Sequence, residues 1–230
     1  MEALREALGM FRRLYGVGHE HTAWALGVIG TTLRRQGKLE EALGELKEAL
    51  RIQEQLHGHE HEEVAHVLGS IAAVHDEQGK LPEALEGRTE ELRILKIRLG
   101  DEDPDVAETH SNIAIVHAQM GMLPEALAGF KKALRIKKKV LGEEHPNVGI
   151  TLNCIATVLS EQGKHAEALE TNNKALGIQI KRLGEEHPDV GKTYLTLGIN
   201  LKSLGKHEEA LKHLGKALKI QSKIFGEESR

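Results

Sequence analysis

The chain has 230 residues, of which 40% are hydrophobic and 29% are charged, and its formal net charge at pH 7 is −4. The hydrophobic content is enough to bury a core, whereas the mixed charge lacks the basic field that nucleic-acid binding requires. Aromatic residues make up 3%, too few for the stacking platforms that bind single-stranded nucleic acids. We therefore expect no nucleic-acid partner.

Cysteine content and the N-terminal sequence bear on location. Cys154 is the only cysteine, so one chain can form neither a disulfide framework nor a thiolate zinc site, which fits a reducing compartment. The first residues carry no apolar segment of signal-peptide length, and no later stretch has the composition of a membrane span. We expect a soluble, cytoplasmic protein with no membrane partner.

Residues 2–15 predict the first helix of the chain. The triplets at 6–8 and 48–50 are both Glu-Ala-Leu and align with each other. Residues 1–18 therefore correspond to the second helix of a truncated repeat.

Beyond this helix, a period of 42 residues organises the chain. Glycines and alanines both recur at this step, and self-similarity at a fixed period indicates a solenoid of stacked repeats. We place the repeats approximately at 19–60, 61–102, 103–144, 145–186 and 187–230, and expect a single array over 1–230. The periodic residues are Gly37, Gly79, Gly121, Gly163 and Gly205, and Ala42, Ala84, Ala126, Ala168 and Ala210.

Each repeat is predicted to contain two helices. Apolar residues at steps of three and four give a helix one buried face, as Val148, Leu152, Ile155 and Leu159 do in the fourth repeat. The prolines fall in first turns, where the missing N–H breaks no intrahelical bond. The first helices are predicted at 22–36, 64–78, 106–120, 148–162 and 190–204, and the second helices at 39–57, 81–99, 123–141, 165–183 and 207–225.

The repeats resemble the tetratricopeptide family over essentially the whole chain. Small residues at positions 30, 72, 114, 156 and 198 stand where that family packs two helices closely. The period exceeds the family's usual length of about 34 residues and is similar to the long repeats of kinesin light chains. Those repeats are typified by a Leu-Asn-Asn-Leu-Ala run, a Gln-Gly-Lys turn and a Leu-Gly-x-x-His-Pro-Asp-Val junction. Here they appear as Leu152-Asn153-Cys154-Ile155-Ala156, Gln162-Gly163-Lys164 and Leu183-Gly184-Glu185-Glu186-His187-Pro188-Asp189-Val190.

The resemblance implies an all-α, right-handed superhelical solenoid of antiparallel helix hairpins, whose concave face is lined mainly by first helices. It also implies a non-catalytic scaffold that binds a peptide segment or a partner protein in this concave groove. In related repeats an asparagine at the position of Asn153 hydrogen-bonds the backbone of an extended peptide. Carried over residue by residue, the predicted groove positions are Trp24, Thr31, Arg34, Ser111, Ile115, Asn153, Thr157, Lys192, Ile199 and Lys202.

Two other functions stay open at this point. Solenoid repeats contact only their neighbours, and terminal repeats normally carry a polar cap. Both ends of this chain look uncapped, which indicates a structural module that forms a homo-oligomer by pairing end helices. Alternatively, the chain is a fragment of a longer array, in which case it could regulate an attached enzyme domain. The apolar end residues are Leu4, Leu8, Phe11, Leu214, Leu218 and Phe225.

The sequence predicts no catalytic, cofactor or metal site. It contains neither a nucleophile elbow nor a phosphate-cradling glycine loop. His57, His59 and His61 alternate at a repeat junction, but no cysteine and no His-Glu-x-x-His motif accompanies them. We therefore expect no enzymatic activity, no cofactor and no bound metal.

The second repeat departs from the pattern at two positions. Glu91 replaces the alanine of the other second helices, and Arg88 takes a position that is mostly apolar elsewhere. We expect looser packing at this point, or two side chains that reach solvent. His75 and His117 take positions that are leucine in other repeats, so we expect them to be partly buried packing residues.

Overall fold

The computed structural model describes the backbone of residues 1–228 and the side chains of residues 1–223. This part of the chain forms eleven α-helices and no β-strand. None of these helices combines the length and the hydrophobicity needed to cross a membrane. The helices are α1 (Glu2–Tyr15), α2 (Glu20–Arg35), α3 (Leu39–His57), α4 (Glu62–Glu77), α5 (Leu81–Leu99), α6 (Pro104–Gln119), α7 (Leu123–Leu141), α8 (Pro146–Glu161), α9 (His165–Leu183), α10 (Pro188–Ser203) and α11 (His207–Glu228).

The prediction of an all-α chain of helix hairpins is confirmed. The second helices α3, α5, α7 and α9 have the predicted bounds, and the last one, α11, extends to Glu228 instead of 225. The first helices begin two residues earlier than predicted and end one residue earlier. The earlier start has a local cause, because Pro146 and Pro188 occupy the first helical position, for which the fixed φ of proline is suited.

Contacts between helices divide the chain into two compact units, unit 1 (Met1–Met120) and unit 2 (Gly121–Arg230). In unit 1, α2 pairs with α3 and α4 with α5, and the hairpins meet through α3 against α4 and α5 against α6. In unit 2, α8 pairs with α9 and α10 with α11, while α7 contacts α8 and α9 contacts α10. Both units are therefore built from the same hairpin, and the single array over 1–230 stays a prediction.

A glycine with left-handed backbone conformation follows each first helix and begins the turn to the second helix. At Gly163, φ is 76°. The N–H of Lys164 donates to the carbonyl of Leu159 at 2.9 Å, which closes the C-terminal end of α8. Glycine recurs at this turn because residues with a side chain rarely adopt such a φ.

Small residues allow the two helices of a hairpin to approach closely. A Cβ added to Gly30 would lie 2.6 Å from Cγ of Leu46, and one added to Gly198 would lie equally close to Leu214. Ala42 and Ala168 are completely buried on the facing second helices. The first helices therefore pack one face tightly against their second helices.

Candidate functional site

The histidines at the repeat junctions cap the first helices. Four of them accept a hydrogen bond at Nδ1 from the backbone N–H two residues later, at 3.2 to 3.3 Å. At the remaining junction, Asp103 accepts the same bond at 2.8 Å. Each bond satisfies one of the amides that a helix start leaves without an intrahelical acceptor. These caps set where each first helix begins and which side chains it presents; the histidines are His19, His61, His145 and His187.

The three alternating histidines make separate contacts. The rings of His57 and His61 stack with centroids 4.2 Å apart, and Nδ1 of His61 caps α4. Nδ1 of His59 lies 3.0 Å from Oε1 of Glu54. Two of these imidazoles therefore contact each other, and the third contacts a carboxylate.

The predicted groove positions of unit 1 differ in exposure. Trp24 is 59% exposed, and Ile115 is also exposed. Thr31 is half-buried and donates to a backbone carbonyl in its own helix, and Arg34 forms an ion pair with a glutamate of α4. Ser111 is buried and donates to the carbonyl one turn earlier at 3.2 Å. Trp24 and Ile115 are therefore exposed and Arg34 is half-buried in an ion pair, whereas Ser111 contributes to packing.

The predicted groove positions of unit 2 lie on α8 and α10. Asn153 and Thr157 are half-buried on α8. Ile199 and Lys202 are exposed on α10, and Lys192 donates to a carboxylate in the first turn of the same helix at 3.1 Å. Because these residues are spaced by three, four or seven positions within each helix, they share one helix face.

A hydrogen-bonded network of asparagines fixes the side chain of Asn153. Its Oδ1 accepts from Nδ2 of Asn172 at 2.8 Å and from Oγ1 of Thr196 at 2.9 Å. Oδ1 of Asn172 accepts in turn from Nδ2 of Asn200 at 3.0 Å, and both Asn172 and Asn200 are fully buried. His165 extends the network, because its Nδ1 lies 3.2 Å from Oδ1 of Asn200. Buried amides are retained only with partners of this kind, since leaving one unpaired is costly.

Sequence reasoning missed Asn172 and Asn200. A signal was available, because both break the repeat at positions that are apolar in most other repeats. Asn172 aligns with Leu46, Phe130 and Leu214, and Asn200 aligns with Val74, Val116 and Val158. Two polar residues at apolar positions of neighbouring repeats indicate that they bond to each other.

Arg88 and Glu91, which depart from the repeat pattern in the second repeat, form a buried ion pair. Arg88 Nη1 donates to Oε2 of Glu91 at 2.8 Å, and Glu91 is only 7% exposed. The expectation of loose packing or solvent-reaching side chains is therefore wrong, because Gly69 leaves room for the carboxylate between the helices. Burial raises the pKa of Glu91, an effect that Arg88 opposes. His75 and His117 are half-buried, which confirms their prediction as packing residues.

The structure corrects the expected exposure at the N-terminal end. Leu8 is buried, and Leu4 and Phe11 pack against the core of α2 and α3, because α1 pairs with α2. The large apolar residues that α1 does expose are Met10, Leu14 and Tyr15, with Leu14 72% exposed.

The C-terminal end follows the expectation in part. Leu214 is half-buried and faces Gly198, so it belongs to the hairpin contact instead of the surface. Leu218 is exposed, as expected, and α11 also exposes Leu211. The side chain of Phe225 lies outside the described residues.

Comparison with known sequences identifies the repeat type. The family model of the tetratricopeptide repeat matches residues 2–55, 29–96, 105–181 and 148–223, which together cover most of the chain. No curated protein sequence matches this chain.

Solved structures show the same fold. BtubC (BKLC) from P. vanneervenii is similar with a TM-score of 0.83 at 21% sequence identity, over 98% of this chain and 91% of that one. A putative kinesin light chain of Podosopora anserina with nearly identical TPR-like repeats gives a TM-score of 0.75 at 23% identity, over 90% of this chain and 98% of that one. Aspartyl phosphate phosphatase F from Bacillus subtilis gives 0.74 at 16% identity, over 94% of this chain and 55% of that one.

Proposed function

Because this chain belongs to the tetratricopeptide repeat family, whose repeats mediate binding to protein partners, we propose that its first helices bind an extended peptide segment of a partner protein. The observation that carries this proposal is the fixed orientation of Asn153 among exposed aliphatic side chains. Such a surface offers a hydrogen bond to a peptide backbone together with apolar contacts for side chains. The single cysteine also supports a reducing, cytoplasmic location.

Asn153 offers the ligand a hydrogen-bond donor. Its Oδ1 accepts two intramolecular bonds, so the amide nitrogen is the group that remains for a ligand. An amide N–H pairs with a backbone carbonyl, and every residue of an extended peptide carries one. Since the network already fixes the side chain, binding loses little rotamer entropy at this position.

The side chains around Asn153 define the rest of the ligand. Ile150 on α8 and Leu195 and Ile199 on α10 are exposed aliphatic residues. Covering them removes apolar surface from water, which contributes about 25 cal/mol per Å². Lys202 is exposed near the C-terminal end of α10 and favours a carboxylate in the ligand. The surface of unit 2 thus fits an extended segment with apolar side chains and one acidic residue.

A peptide-display selection tests this proposal. Asn153→Asp serves as the counter-screen, because it keeps an oxygen for Asn172 and Thr196 but removes the amide donor. Asn173→Asp is the matched control, since it adds the same charge at an exposed position of α9. We expect a shared peptide motif on the wild type and on the control, and its loss on Asn153→Asp. The groove assignment is wrong if no motif is enriched, or if the motif survives on a folded Asn153→Asp chain.

Self-assembly through end helices is the second candidate, and two leucines of α11 favour it. Leu211 and Leu218 are 71% and 67% exposed, and their spacing of seven residues places them on one face. Two exposed leucines on one face form an apolar stripe that a second chain could cover.

Sedimentation velocity over a range of protein concentrations tests the second candidate. The Leu211→Lys/Leu218→Lys variant should stay monomeric where the wild type associates. Leu204→Lys is the control, because Leu204 is exposed but lies in the turn before α11. A monomer mass at every concentration of the wild type would eliminate self-assembly.

A further inference from the structure

Three side chains with metal-binding atoms meet between α4 and α6 of unit 1. One ligand atom from each of Glu62, His66 and Asp105 lies within 4.8 Å of the other two. Nε2 of His66 is 3.5 Å from Oε1 of Glu62. Two ligands that bind Zn²⁺ tetrahedrally at about 2.0–2.1 Å lie about 3.3 Å from each other. Nε2 of His66 and Oε1 of Glu62 therefore already have nearly the separation that a shared metal ion requires.

The backbone holds these three residues on regular helix starts. Glu62 is the first residue of α4, and His66 follows one turn later on the same face. Asp105 is the second residue of α6, and its N–H is capped by Asp103 at 2.8 Å. Sites built on helices are held more firmly than sites on loops. The ligand atom of Asp105 is thus held within 4.8 Å of those of Glu62 and His66.

The combination occurs once among the repeats. Position 66 carries an imidazole only in the second repeat, while the corresponding residues elsewhere offer no nitrogen ligand of this kind. A general requirement of the fold would recur every 42 residues, so the triad is a property of this repeat alone. The equivalent sets are Glu20, Trp24 and Glu63; Pro104, Glu108 and Asn147; and Pro146, Ile150 and Asp189.

The buried ion pair of Arg88 and Glu91 lies beside the triad. Glu91 is 7% exposed and interacts electrostatically with both His66 and Asp105. The Arg88 hydrogen bond engages Oε2 of Glu91 and offsets part of this charge. Burial strengthens electrostatic interactions because the surroundings are less polar than water.

We propose that Glu62, His66 and Asp105 bind a divalent transition-metal ion, with Zn²⁺ as the best match, and that this ion ties α4 to α6. Imidazole together with carboxylates suits Zn²⁺ and its neighbours, whereas Mg²⁺ and Ca²⁺ prefer all-oxygen sites. Three protein ligands leave the fourth tetrahedral position of Zn²⁺ to water. Because α4 and α6 belong to consecutive repeats, the ion stabilises unit 1 against unfolding.

Isothermal titration of the chelator-treated full chain with Zn²⁺ tests the site. We expect one saturable site per chain, and His66→Ala should weaken it roughly tenfold or more. Asp105→Asn should also weaken it. His59→Ala is the matched control, because His59 is an exposed imidazole beside one carboxylate, Glu54, at 3.0 Å. His59→Ala should leave the affinity unchanged.

Thermal unfolding provides a second readout. Zn²⁺ should raise the midpoint of the wild type and of His59→Ala, but not that of His66→Ala. The absence of saturable uptake by the wild type overturns the proposal. Equal weakening by His59→Ala and His66→Ala also overturns it, because that result indicates diffuse binding to surface histidines. Displacement of Zn²⁺ by a moderate excess of Mg²⁺ contradicts the role of the imidazole.

Discussion

A Cβ on Gly69 would lie 2.3 Å from Oε1 of Glu91, so the buried carboxylate fills the space that a side chain at position 69 would need. The third to fifth repeats divide this space differently, with a larger residue on the first helix and alanine on the second. Gly69 and Glu91 are therefore a compensating pair, and neither can be understood alone. The corresponding pairs are Ser111 with Ala133, Asn153 with Ala175, and Leu195 with Ala217.

Gly69→Ala should destabilise the chain by about 1–3 kcal/mol, because the added methyl group overlaps the Glu91 carboxylate in a packed interior. Gly27→Ala is the matched control. Gly27 has the same position in the first repeat, but a Cβ there meets no atom within 4 Å. Alanine should stabilise the helix at that point by about 0.5–1 kcal/mol. Urea unfolding measures the free energy of unfolding of both variants. If both substitutions change it in the same direction, Gly69 does not make room for Glu91.

His145→Ala should cost about 1 kcal/mol, because it removes the acceptor for the N–H of Asn147 at the start of α8. His145→Asp should retain most of the stability, since Asp103 caps α6 through the same bond. Chemical denaturation compares the two variants. If alanine and aspartate destabilise equally, the histidine stabilises the junction through its ring packing and not through the cap.

Asn172→Ala should destabilise the chain by about 1–3 kcal/mol, because it leaves the buried Nδ2 of Asn200 without its acceptor. Asn153→Ala should cost less, since Asn153 is only half-buried and water can replace it as a partner. Urea unfolding of both variants tests this order, and Asn172→Ala should have the lower free energy of unfolding. A larger effect of Asn153→Ala would indicate that the network is centred on the surface and not on the buried amide.

The stability of the chain should fall as pH decreases through the range in which His75 titrates. Burial lowers the pKa of His75 below its ordinary value of 6.5; Lys80 and Lys47 add to this effect, and Glu83 opposes it. Because the unfolded chain then binds the proton more tightly, the contribution to stability is full above 6.5 and is lost between 6.5 and the lowered value.

His75→Leu provides the control for this pH dependence, since leucine is the residue of Leu33, Leu159 and Leu201 at the same position. The difference in unfolding free energy between the variant and the wild type should be constant at high pH. It should increase in favour of the variant as the pH falls below 6.5. Parallel stability curves over the whole range would show that His75 is not the group responsible.

The helices were predictable because their determinants are local and repeated. The turn glycine, the alanine triplet and the apolar spacing all lie within one repeat, and α3, α5, α7 and α9 have the predicted bounds. The starts of the first helices were misplaced because the prediction began two residues late and left out the first-turn prolines, Pro146 and Pro188. In the structure, His145 and His187 are the residues before the helix, and their ring nitrogens serve as caps.

The contacts that distinguish one repeat from another were not predictable in the same way. The bond between Asn172 and Asn200 joins residues 28 positions apart, and the space for Glu91 depends on Gly69 of another helix. Sequence periodicity marks such residues as departures but does not say whether they pair, reach solvent or loosen the core. The burial of Ser111 and of Leu8 likewise depends on contacts with another helix, which the local sequence does not show.

The asparagine network also requires the fifth repeat to follow the fourth. Asn153 and Asn172 belong to the fourth repeat, whereas Thr196 and Asn200 belong to the fifth, so the bonds cross the boundary between them. Any other repeat placed after the fourth would bring a valine or Thr32 to the position of Asn200. Separating the fourth repeat from the fifth would therefore preserve the turns and caps but leave a buried amide without its partner. The fourth and fifth repeats are a matched pair within an otherwise modular sequence.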